Sequence, residues 1–339
     1  MSVHPILFSC IAAIATLLLI GPKVISYLRN TGIVGIDQQK KNKPVLPTSG
    51  GVMVAIGIFI GVLLYVGLNV FLPLNNINLT LIFAGLLSIL TISIIGFIDD
   101  IYVNRPWGTR NLTNGDDVLR IGLTQKTKAL SVLPAAIPLM AINAGHSVLT
   151  LPFFGAIELG ILYPLLLIPI GVLSVSNATN MLAGQNGLEA SMATIALFFL
   201  GVHALNVGAT EAAAIAFISV AALLAFLKFN WAPAKILPGD SLTYLSGALI
   251  ATVVIIGNIE KAGIIIFIPW IVEAFLKAKR KFRATSLGKL TKEGYLKPKN
   301  DRIESLTHVP MTLWNLKEHQ IPYVFITVLI VLGVISFYV

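Results

Sequence analysis

The sequence predicts an all-α polytopic membrane protein with about ten transmembrane helices and a single domain over residues 1–339. Hydrophobic residues make up 56% of the chain and charged residues only 12%, whereas a soluble domain usually has about 25% charged residues. The mean hydropathy is +0.87. A chain with so few charges has little aqueous surface to cover, and the sequence has no period-2 alternation typical of a membrane barrel.

Ten segments are apolar and long enough to cross a bilayer, which takes about 20 residues of α-helix. They are residues 3–28, 49–72, 79–98, 128–145, 160–177, 188–206, 211–229, 241–258, 261–278 and 321–339. Five polar connections between them are expected on one side of the membrane: residues 29–48, 99–127, 178–187, 230–240 and 279–320. With ten spans, both termini are expected on the opposite side.

The basic residues predict which side the five connections face. Of the 24 lysines and arginines, all but Lys261 lie in these connections or at the adjoining helix ends. Cationic loops stay in the cytoplasm, so a site formed by the connections is expected to be cytoplasmic, with both termini outside. The net charge of +9 fits attraction to anionic lipid headgroups or an anionic substrate. No basic patch interleaved with aromatic residues points to nucleic acid.

Three aspartates stand where predicted spans meet the cytoplasm. Asp99 and Asp100 end the third span in "GFIDDIY", and Asp240 begins the eighth in "LPGDSLTY". A carboxylate at this depth is unfavourable unless it is paired or bound to a cation. Solvation by headgroups would explain one such acid, but three at the same depth point to a shared site.

A cluster of amides is predicted at the same depth, in "NATNMLAGQNGLE". Asn177 and Asn180 are three residues apart and share a helix face, as do Asn186 and Glu189, and glycines break the helix between the two pairs. Carbonyl and carboxylate oxygens suit Mg²⁺, with Mn²⁺ as the alternative ion, because Mg²⁺ takes few protein ligands beside substrate phosphates. The alternative reading is a turn whose amides only cap helices.

Basic side chains supply the third part of the predicted site. Lys126 and Lys128 open the fourth span in "LTQKTKAL", and "KAKRKFR" (Lys277–Arg283) follows the ninth. Oxygen ligands for Mg²⁺ beside lysine and arginine are typical of a pyrophosphate site. A basic run after a span is also a common stop-transfer signal, so this run alone does not define a site.

Four segments together resemble the polyprenyl-phosphate N-acetylhexosamine-1-phosphate transferase family, glycosyltransferase family 4, over nearly the whole chain. "LPTSGGV" (Leu46–Val52) is similar to the family segment that opens the second span, "GFIDDIY" to its aspartate pair, and "LPGDSLTY" to its glycine–aspartate motif. "NATNMLAGQNGLE" is the most specific. It resembles the archaeal and eukaryotic branch, which transfers N-acetylglucosamine-1-phosphate to dolichyl phosphate.

The resemblance implies a role for each matching position. Asp240 and Asn180 would bind Mg²⁺, and Asp99, Asp100 and Lys128 would be the catalytic residues near the lipid phosphate. The predicted substrate-binding residues are Asn177, Asn186, Glu189, Arg280, Lys281 and Arg283. Among these, Asn186 matches an asparagine that contacts uracil, and the last three fall near the family's basic segment.

Two departures from the bacterial phospho-MurNAc-pentapeptide branch favour UDP-N-acetylglucosamine as the donor. That branch has aspartates where this chain has Ala183 and Asn186. It also has a histidine cluster in its last cytoplasmic loop, where His308 and His319 stand isolated here.

The resemblance therefore implies transfer of N-acetylglucosamine-1-phosphate from UDP-GlcNAc to a polyprenyl (dolichyl) phosphate, with release of UMP. This would be the first lipid-linked step of N-glycosylation in a prokaryotic cell membrane, with an archaeal one favoured. Another UDP-N-acetylhexosamine, a role in cell-wall or surface polysaccharide, and a homodimer stay open. Outside this class, a secondary transporter would place polar residues deep in the spans and show two related halves, and the sequence shows neither.

Overall fold

The computed structural model describes residues 4–72, 74–101, 125–145, 148–151, 155–300 and 302–339. Within these residues the chain is mostly helical and carries three short β-hairpins. The helices are α1 (His4–Asn30), α2 (Gly50–Phe71), α3 (Leu79–Ile101), α4 (Gln125–Leu130), α5 (Ile137–Ala141), α6 (Ile168–Met181), α7 (Leu188–Asn206), α8 (Thr210–Asn230), α9 (Gly239–Gly257), α10 (Glu260–Ile266), α11 (Ile268–Lys279), α12 (His308–Leu313) and α13 (Ile321–Ile335).

Eight helical stretches within the described residues are long and apolar enough to cross a membrane. They are Pro5–Asn30 in α1, then α2, α3, Tyr163–Met181 ending with α6, then α7, α8, α9, and Glu318–Ile335 ending with α13. Each coincides with a span that the sequence predicts. The protein is therefore an integral membrane protein built from α-helices.

The other two predicted spans, 128–145 and 261–278, are helical only in short pieces. The first contains α4, a 3₁₀ turn and α5, and the second contains α10 and α11. Pro138 lies at the start of α5 and Pro269 at the start of α11. Proline has no N–H for the preceding turn and its ring clashes with that turn. Hydropathy averages over such breaks, which is why the sequence alone predicts continuous helices there.

The three hairpins are antiparallel and two-stranded. They pair β1 (Val34–Ile36) with β2 (Val45–Pro47), β3 (Val148–Leu151) with β4 (Gly155–Glu158), and β5 (Gly288–Leu290) with β6 (Leu296–Pro298). The first and third hairpins give defined structure to the predicted connections 29–48 and 279–320. The predicted connection 99–127 lies largely outside the described residues, which omit 102–124.

Helix α9 lies at the centre of the bundle, where it packs against α2, α3, α6, α7 and α8. Its first turn is approached very closely by two neighbouring helices. A Cβ atom on Gly96 would lie 2.6 Å from Cα of Ser241, and one on Gly51 would lie 2.2 Å from the carbonyl carbon of Ser241. Small residues at helix crossings allow such contacts between membrane helices. The end of α3 and the start of α2 are thereby brought to the start of α9.

Candidate active site

A lysine and two aspartates from three helices meet at the start of α9. The ammonium nitrogen of Lys128 in α4 lies 2.6 Å from Oδ2 of Asp99 near the end of α3. The same nitrogen also pairs with Oδ2 of Asp240 in the first turn of α9. Asp99 is buried and Lys128 is 29% exposed. The structure thus joins three residues that the sequence predicts as one site from positions far apart in the chain.

Asp100 has different partners from its neighbour Asp99. Its Oδ1 accepts the backbone N–H of Asp240 at 2.7 Å, and its Oδ2 accepts the backbone N–H of Ser241 at 3.1 Å. The hydroxyl of Ser49 donates to the same Oδ2 at 2.9 Å. The first N–H groups of a helix have no partner within the helix, and Pro238 at the N-cap of α9 supplies no side-chain cap. Asp100 therefore caps α9 from a neighbouring helix, and its charge complements the positive end of the helix dipole.

Asn180 in α6 is linked to Asp240 through one hydroxyl group. Oγ1 of Thr243 donates to Oδ1 of Asn180 at 3.0 Å and lies 3.2 Å from the backbone oxygen of Asp240. Thr243 thus contacts both residues, and Asn180 with its amide oxygen and Asp240 with its carboxylate both line the cavity described below.

The donor set of these two residues fits Mg²⁺, which prefers hard oxygen ligands and retains water or substrate oxygens in its shell. Among the described residues, no three His, Cys, Asp or Glu side chains form a metal site. A bound ion would therefore take most of its ligands from substrate phosphates and water.

Asn177 lies one turn before Asn180 and has a connecting role. Its Nδ2 donates to the backbone oxygen of Leu173 at 2.8 Å and to that of Ala129 at 3.1 Å. Ala129 is the residue after Lys128, so this amide ties α6 to the helix that carries the lysine. Asn177 also lines the cavity.

The turn between α6 and α7, residues 182–187, is here called the amide turn. Gly184 and Gly187 have φ angles of +122° and +85°, which confirms the prediction that glycines break the helix there. Oε1 of Glu189 accepts the backbone N–H of Gly184 at 2.6 Å. Nδ2 of Asn186 donates to Oδ2 of Asp37 at 2.9 Å.

Residues from distant loops hold the amide turn in place. Nε2 of Gln39 donates to the backbone oxygen of Gly184 at 2.5 Å, and Oε1 of Glu318 accepts the backbone N–H of Asn186 at 3.1 Å. Lys40 pairs with Glu318 and lies 3.5 Å from Oδ2 of Asp37. Burial lowers the pKa of the Lys40 ammonium from its usual value, while the Coulombic attraction and hydrogen bond of Asp37 raise it. Asp37, Gln39, Lys40 and Glu318 are site residues that the sequence motifs do not reveal.

Arg280, Lys281 and Arg283 are exposed at the end of α11 and do not line the cavity. Nε of Arg280 lies 3.7 Å from Oε1 of Glu304. The cavity is instead lined by Lys277, the first residue of the basic run. The prediction that the three residues bind substrate stays a prediction.

Lys277 belongs to a buried polar group that also contains Glu273 and Ser286. Its ammonium nitrogen lies 3.2 Å from Oε1 of Glu273 and 3.0 Å from Oγ of Ser286. The hydroxyl of Ser286 donates to the backbone oxygen of Met181 at 2.8 Å, next to the amide turn. The only trace of this group in the sequence is the i, i+4 spacing of Glu273 and Lys277.

A cavity of about 1490 Å³ connects these groups. The predicted site residues that line it are Lys128, Asn177, Asn180, Asn186, Glu189 and Asp240. Asp99 and Asp100 do not line the cavity. Asp99 contacts Lys128, and Asp100 contacts the backbone of Asp240, and both of these partners line it.

One wall of the cavity is apolar and comes from α6, α9, α10 and α11. It includes Ile170, Ile250, Ile264 and Phe275. Ile170 is 50% and Phe275 is 73% exposed. The apolar wall therefore continues onto the outer surface of the helices, whereas Asp240 lies at the start of α9 and Asn180 at the end of α6, away from Ile250 and Ile170 on the same two helices.

Comparison with known proteins shows the family of the chain. The sequence profile described as "Glycosyl transferase family 4" matches residues 82–258. The chain belongs to glycosyl transferase family 4. The matched region contains Asp99, Lys128, Asn180 and Asp240, and the predicted resemblance of the chain to this family is confirmed.

Individual family members resemble the chain over most of its length. A Sulfolobus acidocaldarius relative named as a UDP-N-acetylglucosamine–dolichyl-phosphate N-acetylglucosaminephosphotransferase is 32% identical over 93% of this chain and 90% of its own length. A Saccharolobus solfataricus relative of the same name is 34% identical over 88% of this chain and 85% of its own. A Shouchella clausii phospho-N-acetylmuramoyl-pentapeptide-transferase is 29% identical over 83% of this chain and 87% of its own.

Proposed function

We propose that this family member transfers N-acetylglucosamine-1-phosphate from UDP-GlcNAc to a membrane polyprenyl phosphate, of the dolichyl type, and releases UMP. The names of the two archaeal relatives support the donor and the acceptor. As an integral membrane phosphoglycosyltransferase, the protein would start the assembly of a lipid-linked glycan, as in N-glycosylation.

The observation that carries the proposal is a single cavity with two chemically different parts. Lys128, Asp240 and Asn180 lie at one part, and the exposed apolar wall with Ile170 and Phe275 lies at the other. A sugar nucleotide is water-soluble and charged, while a polyprenyl phosphate has a long apolar tail. A reaction between them needs a site where both environments meet, and this cavity supplies both.

The reaction is a displacement at the β-phosphorus of UDP-GlcNAc. An oxygen of the lipid phosphate forms the new P–O bond, the bond between the β-phosphorus and the bridging oxygen breaks, and UMP leaves with that oxygen. The positive charge of Lys128 would stabilise the negatively charged phosphate oxygens around the β-phosphorus. A lipid phosphate dianion is already nucleophilic near neutral pH, since the second pKa of such a monoester is about 6, so no covalent enzyme intermediate is required.

The two adjacent aspartates take separate tasks in this mechanism. Asp99 holds Lys128 and, because Asp99 itself does not line the cavity, would accept a residual proton from the lipid phosphate through that lysine. Asp100 holds the first turn of α9 and thereby places Asp240.

Asp240 and Asn180 would hold Mg²⁺, or Mn²⁺ as the alternative ion. The ion would supply charge neutralisation on the pyrophosphate of the donor. The amide of Asn180 contributes an oxygen without a further negative charge, which suits a site that must accept a pyrophosphate. The hydroxyl of Thr243 joins the amide of Asn180 to the backbone of Asp240, and so relates α6 to the first turn of α9.

The proposed topology has ten spans, with the broken segments 128–145 and 261–278 each counted as one. The site and the five connections face the cytoplasm of an archaeal cell, and both termini lie outside. The asymmetry of the basic residues supports this orientation, since only Lys261 departs from it.

The choice of sugar is tested by offering purified protein UDP-GlcNAc and UDP-MurNAc-pentapeptide in separate reactions with dolichyl phosphate and Mg²⁺. We expect UMP release and a GlcNAc-pyrophosphoryl lipid only with the first donor, and none after chelation until Mg²⁺ or Mn²⁺ is restored. Turnover of the MurNAc donor alone would assign the protein to the cell-wall activity named for the Shouchella relative.

A further inference from the structure

The ammonium group of Lys128 is shared unequally between two carboxylates. It donates a hydrogen bond to Oδ2 of Asp240 and lies 2.6 Å from Oδ2 of Asp99. The oxygen of Asp99 is buried and has no hydrogen-bond partner among the described residues, so its contact with the ammonium is an ion pair only. Most buried polar atoms in folded proteins have a hydrogen-bond partner. Asp99 therefore offers Lys128 a second acceptor, close by and not yet used.

The two carboxylates differ in how they meet the cavity. The side chain of Asp240 is 21% exposed and Asp240 lines the cavity, whereas the side chain of Asp99 is 3% exposed and Asp99 does not line it. A cation that enters from water therefore meets Asp240, where Lys128 already occupies one oxygen. A turn of the ammonium towards Asp99 would leave that oxygen to the entering ion.

A third group holds the ammonium close to both acids. The nitrogen lies 5.9 Å from the ring centre of Tyr244, a buried residue one turn after Asp240 in α9. Cation–π attraction acts up to about 6 Å from the ring centre. A partly buried charge that loses every partner is strongly unfavourable. With Asp99 and Tyr244 at hand, Lys128 can release Asp240 and keep two groups that stabilise its charge.

The charges at this point favour such an exchange. One ammonium faces the two carboxylates of Asp99 and Asp240, so a negative charge remains uncompensated. A divalent cation on Asp240 would compensate it, but the cation and the ammonium of Lys128 would repel each other on the same carboxylate. The two cations therefore compete for Asp240.

We propose that Lys128 is the resident counter-ion of Asp240 and exchanges with a divalent cation by turning to Asp99, a proposal that rests on the proposed function. Before the exchange, Lys128 positions the carboxylate of Asp240 at the cavity. After it, the hydrogen bond of the ammonium goes to Asp99, and the part of the ammonium released from Asp240 is available to phosphate oxygens. Asp99 is thereby a positioning residue that acts on Asp240 through the lysine.

The experiment titrates the full-length protein in detergent with MnCl₂, without nucleotide or lipid, and measures free Mn²⁺ by electron paramagnetic resonance. The variant is Lys128→Gln, and the matched control is Lys126→Gln, which removes the same charge from an exposed residue of α4 that also lines the cavity. We expect Lys128→Gln to bind Mn²⁺ about 10- to 100-fold more tightly than wild type, the usual worth of a hydrogen bond to a charged group. The control should change the affinity by less than about threefold.

A second arm tests the role of Asp99 with a double-mutant cycle. Asp99→Asn should weaken Mn²⁺ binding about tenfold when Lys128 is present, because the amide attracts the ammonium less and Lys128 stays on Asp240. The same substitution in the Lys128→Gln protein should change the affinity by less than about threefold. Glu293→Gln, which alters an exposed acid in the turn between β5 and β6, is the matched control for an acid-to-amide change.

Three outcomes would overturn the inference alone. They are equal Mn²⁺ affinity of wild type and Lys128→Gln, an equal rise in Lys126→Gln, and an equal effect of Asp99→Asn with and without Lys128. If Lys128→Gln does not fold, an Asp99→Asn protein with the Mn²⁺ affinity of Glu293→Gln would overturn it as well.

A last variant separates this inference from the proposed function. Lys128→Gln combined with Asp240→Asn should lose the tight Mn²⁺ site, which places the ion at Asp240. Retention of that site in the double variant, or no Mn²⁺ binding by Lys128→Gln at all, would overturn the proposed metal role of Asp240 together with the inference.

Discussion

The carboxylate of Asp100 accepts the backbone N–H of Asp240 at 2.7 Å. Asp100 therefore holds the first turn of α9, the helix that carries Asp240. Its other oxygen accepts from Ser241 and Ser49. Asp99, one residue earlier, binds Lys128 instead. Consecutive residues of α3 thus serve the site in different ways, and the two aspartates should respond differently to substitution.

Asp100→Ala should destabilise the protein, whereas Asp99→Asn should leave the unfolding temperature near that of wild type. Removal of the Asp100 carboxylate leaves the buried N–H of Ser241 and the partly buried N–H of Asp240 without this partner, at about 1–3 kcal/mol for a fully buried group. Thermal unfolding of the purified variants measures this directly. An Asp100→Ala protein with an unchanged unfolding temperature would show that Asp100 does not cap α9.

Asp99→Asn should lower the rate of UMP release by about 10²–10⁴-fold, the usual contribution of a positioned acid or base. In direct attack, no carboxylate bonds to phosphorus. Wild type incubated with β-³²P-UDP-GlcNAc in the absence of lipid, then denatured in acid, should therefore carry no label. Protein-bound ³²P that moves into lipid product after addition of the acceptor, and that is missing in Asp99→Asn, would establish a covalent intermediate instead.

Gly96→Ala should disturb the site through the backbone. The added Cβ would lie 2.6 Å from Cα of Ser241 and 2.8 Å from the backbone oxygen of Asp240, so α3 and the start of α9 would have to move apart. Overpacking of this kind is unfavourable by about 1–3 kcal/mol. We expect lower stability together with lower UMP release.

The matched control for this substitution is Gly67→Ala in α2, where the nearest atom to an added Cβ belongs to the Phe71 side chain at 3.9 Å. Alanine inside a helix is more favourable than glycine by about 0.5–1 kcal/mol. The control should therefore unfold at the same or a higher temperature than wild type. Equal behaviour of the two variants would mean that the α3–α9 contact does not depend on glycine.

The proposed orientation predicts opposite labelling of two engineered cysteines in a Cys10→Ser background, which removes the natural thiol. Lys289 and Asn76 are both exposed and lie in segments predicted on opposite sides of the membrane. A membrane-impermeant maleimide should label Lys289→Cys only after the cells are opened and Asn76→Cys in intact cells. Labelling of Lys289→Cys in intact cells would reverse the topology.

Sequence patterns predict the parts of the structure that have a local cause. Long apolar segments give eight of the helices, and the glycines at 184 and 187 mark the amide turn because they adopt positive φ angles. Asp99 and Asp240 are recognisable because a carboxylate at the end of a membrane helix is unusual.

The other parts of the site depend on contacts between residues that lie far apart in the sequence, and sequence patterns do not show such contacts. Asp37 lies 149 residues from Asn186, and nothing in the local sequence distinguishes it from an ordinary loop acid. The separate tasks of Asp99 and Asp100 arise from which neighbouring helix each one faces. Arg280, Lys281 and Arg283 match a basic run in the sequence, but they are exposed beyond the end of α11, whereas Lys277, inside that helix, lines the cavity.

The central claim is that the bond broken lies between the β-phosphorus and the oxygen shared with UMP, at a site that contains Asp240. Its most direct test uses UDP-GlcNAc labelled with ³²P at the β-phosphate and ³H in the sugar, with dolichyl phosphate, Mg²⁺ and purified protein. Wild type and Glu293→Gln should give lipid with both labels in equal amounts and one UMP for each lipid formed. Asp240→Ala should lower the rate by at least about 10²-fold, because charge at the pyrophosphate is left uncompensated. Lipid that carries ³H without ³²P, with UDP as the other product, would contradict the account.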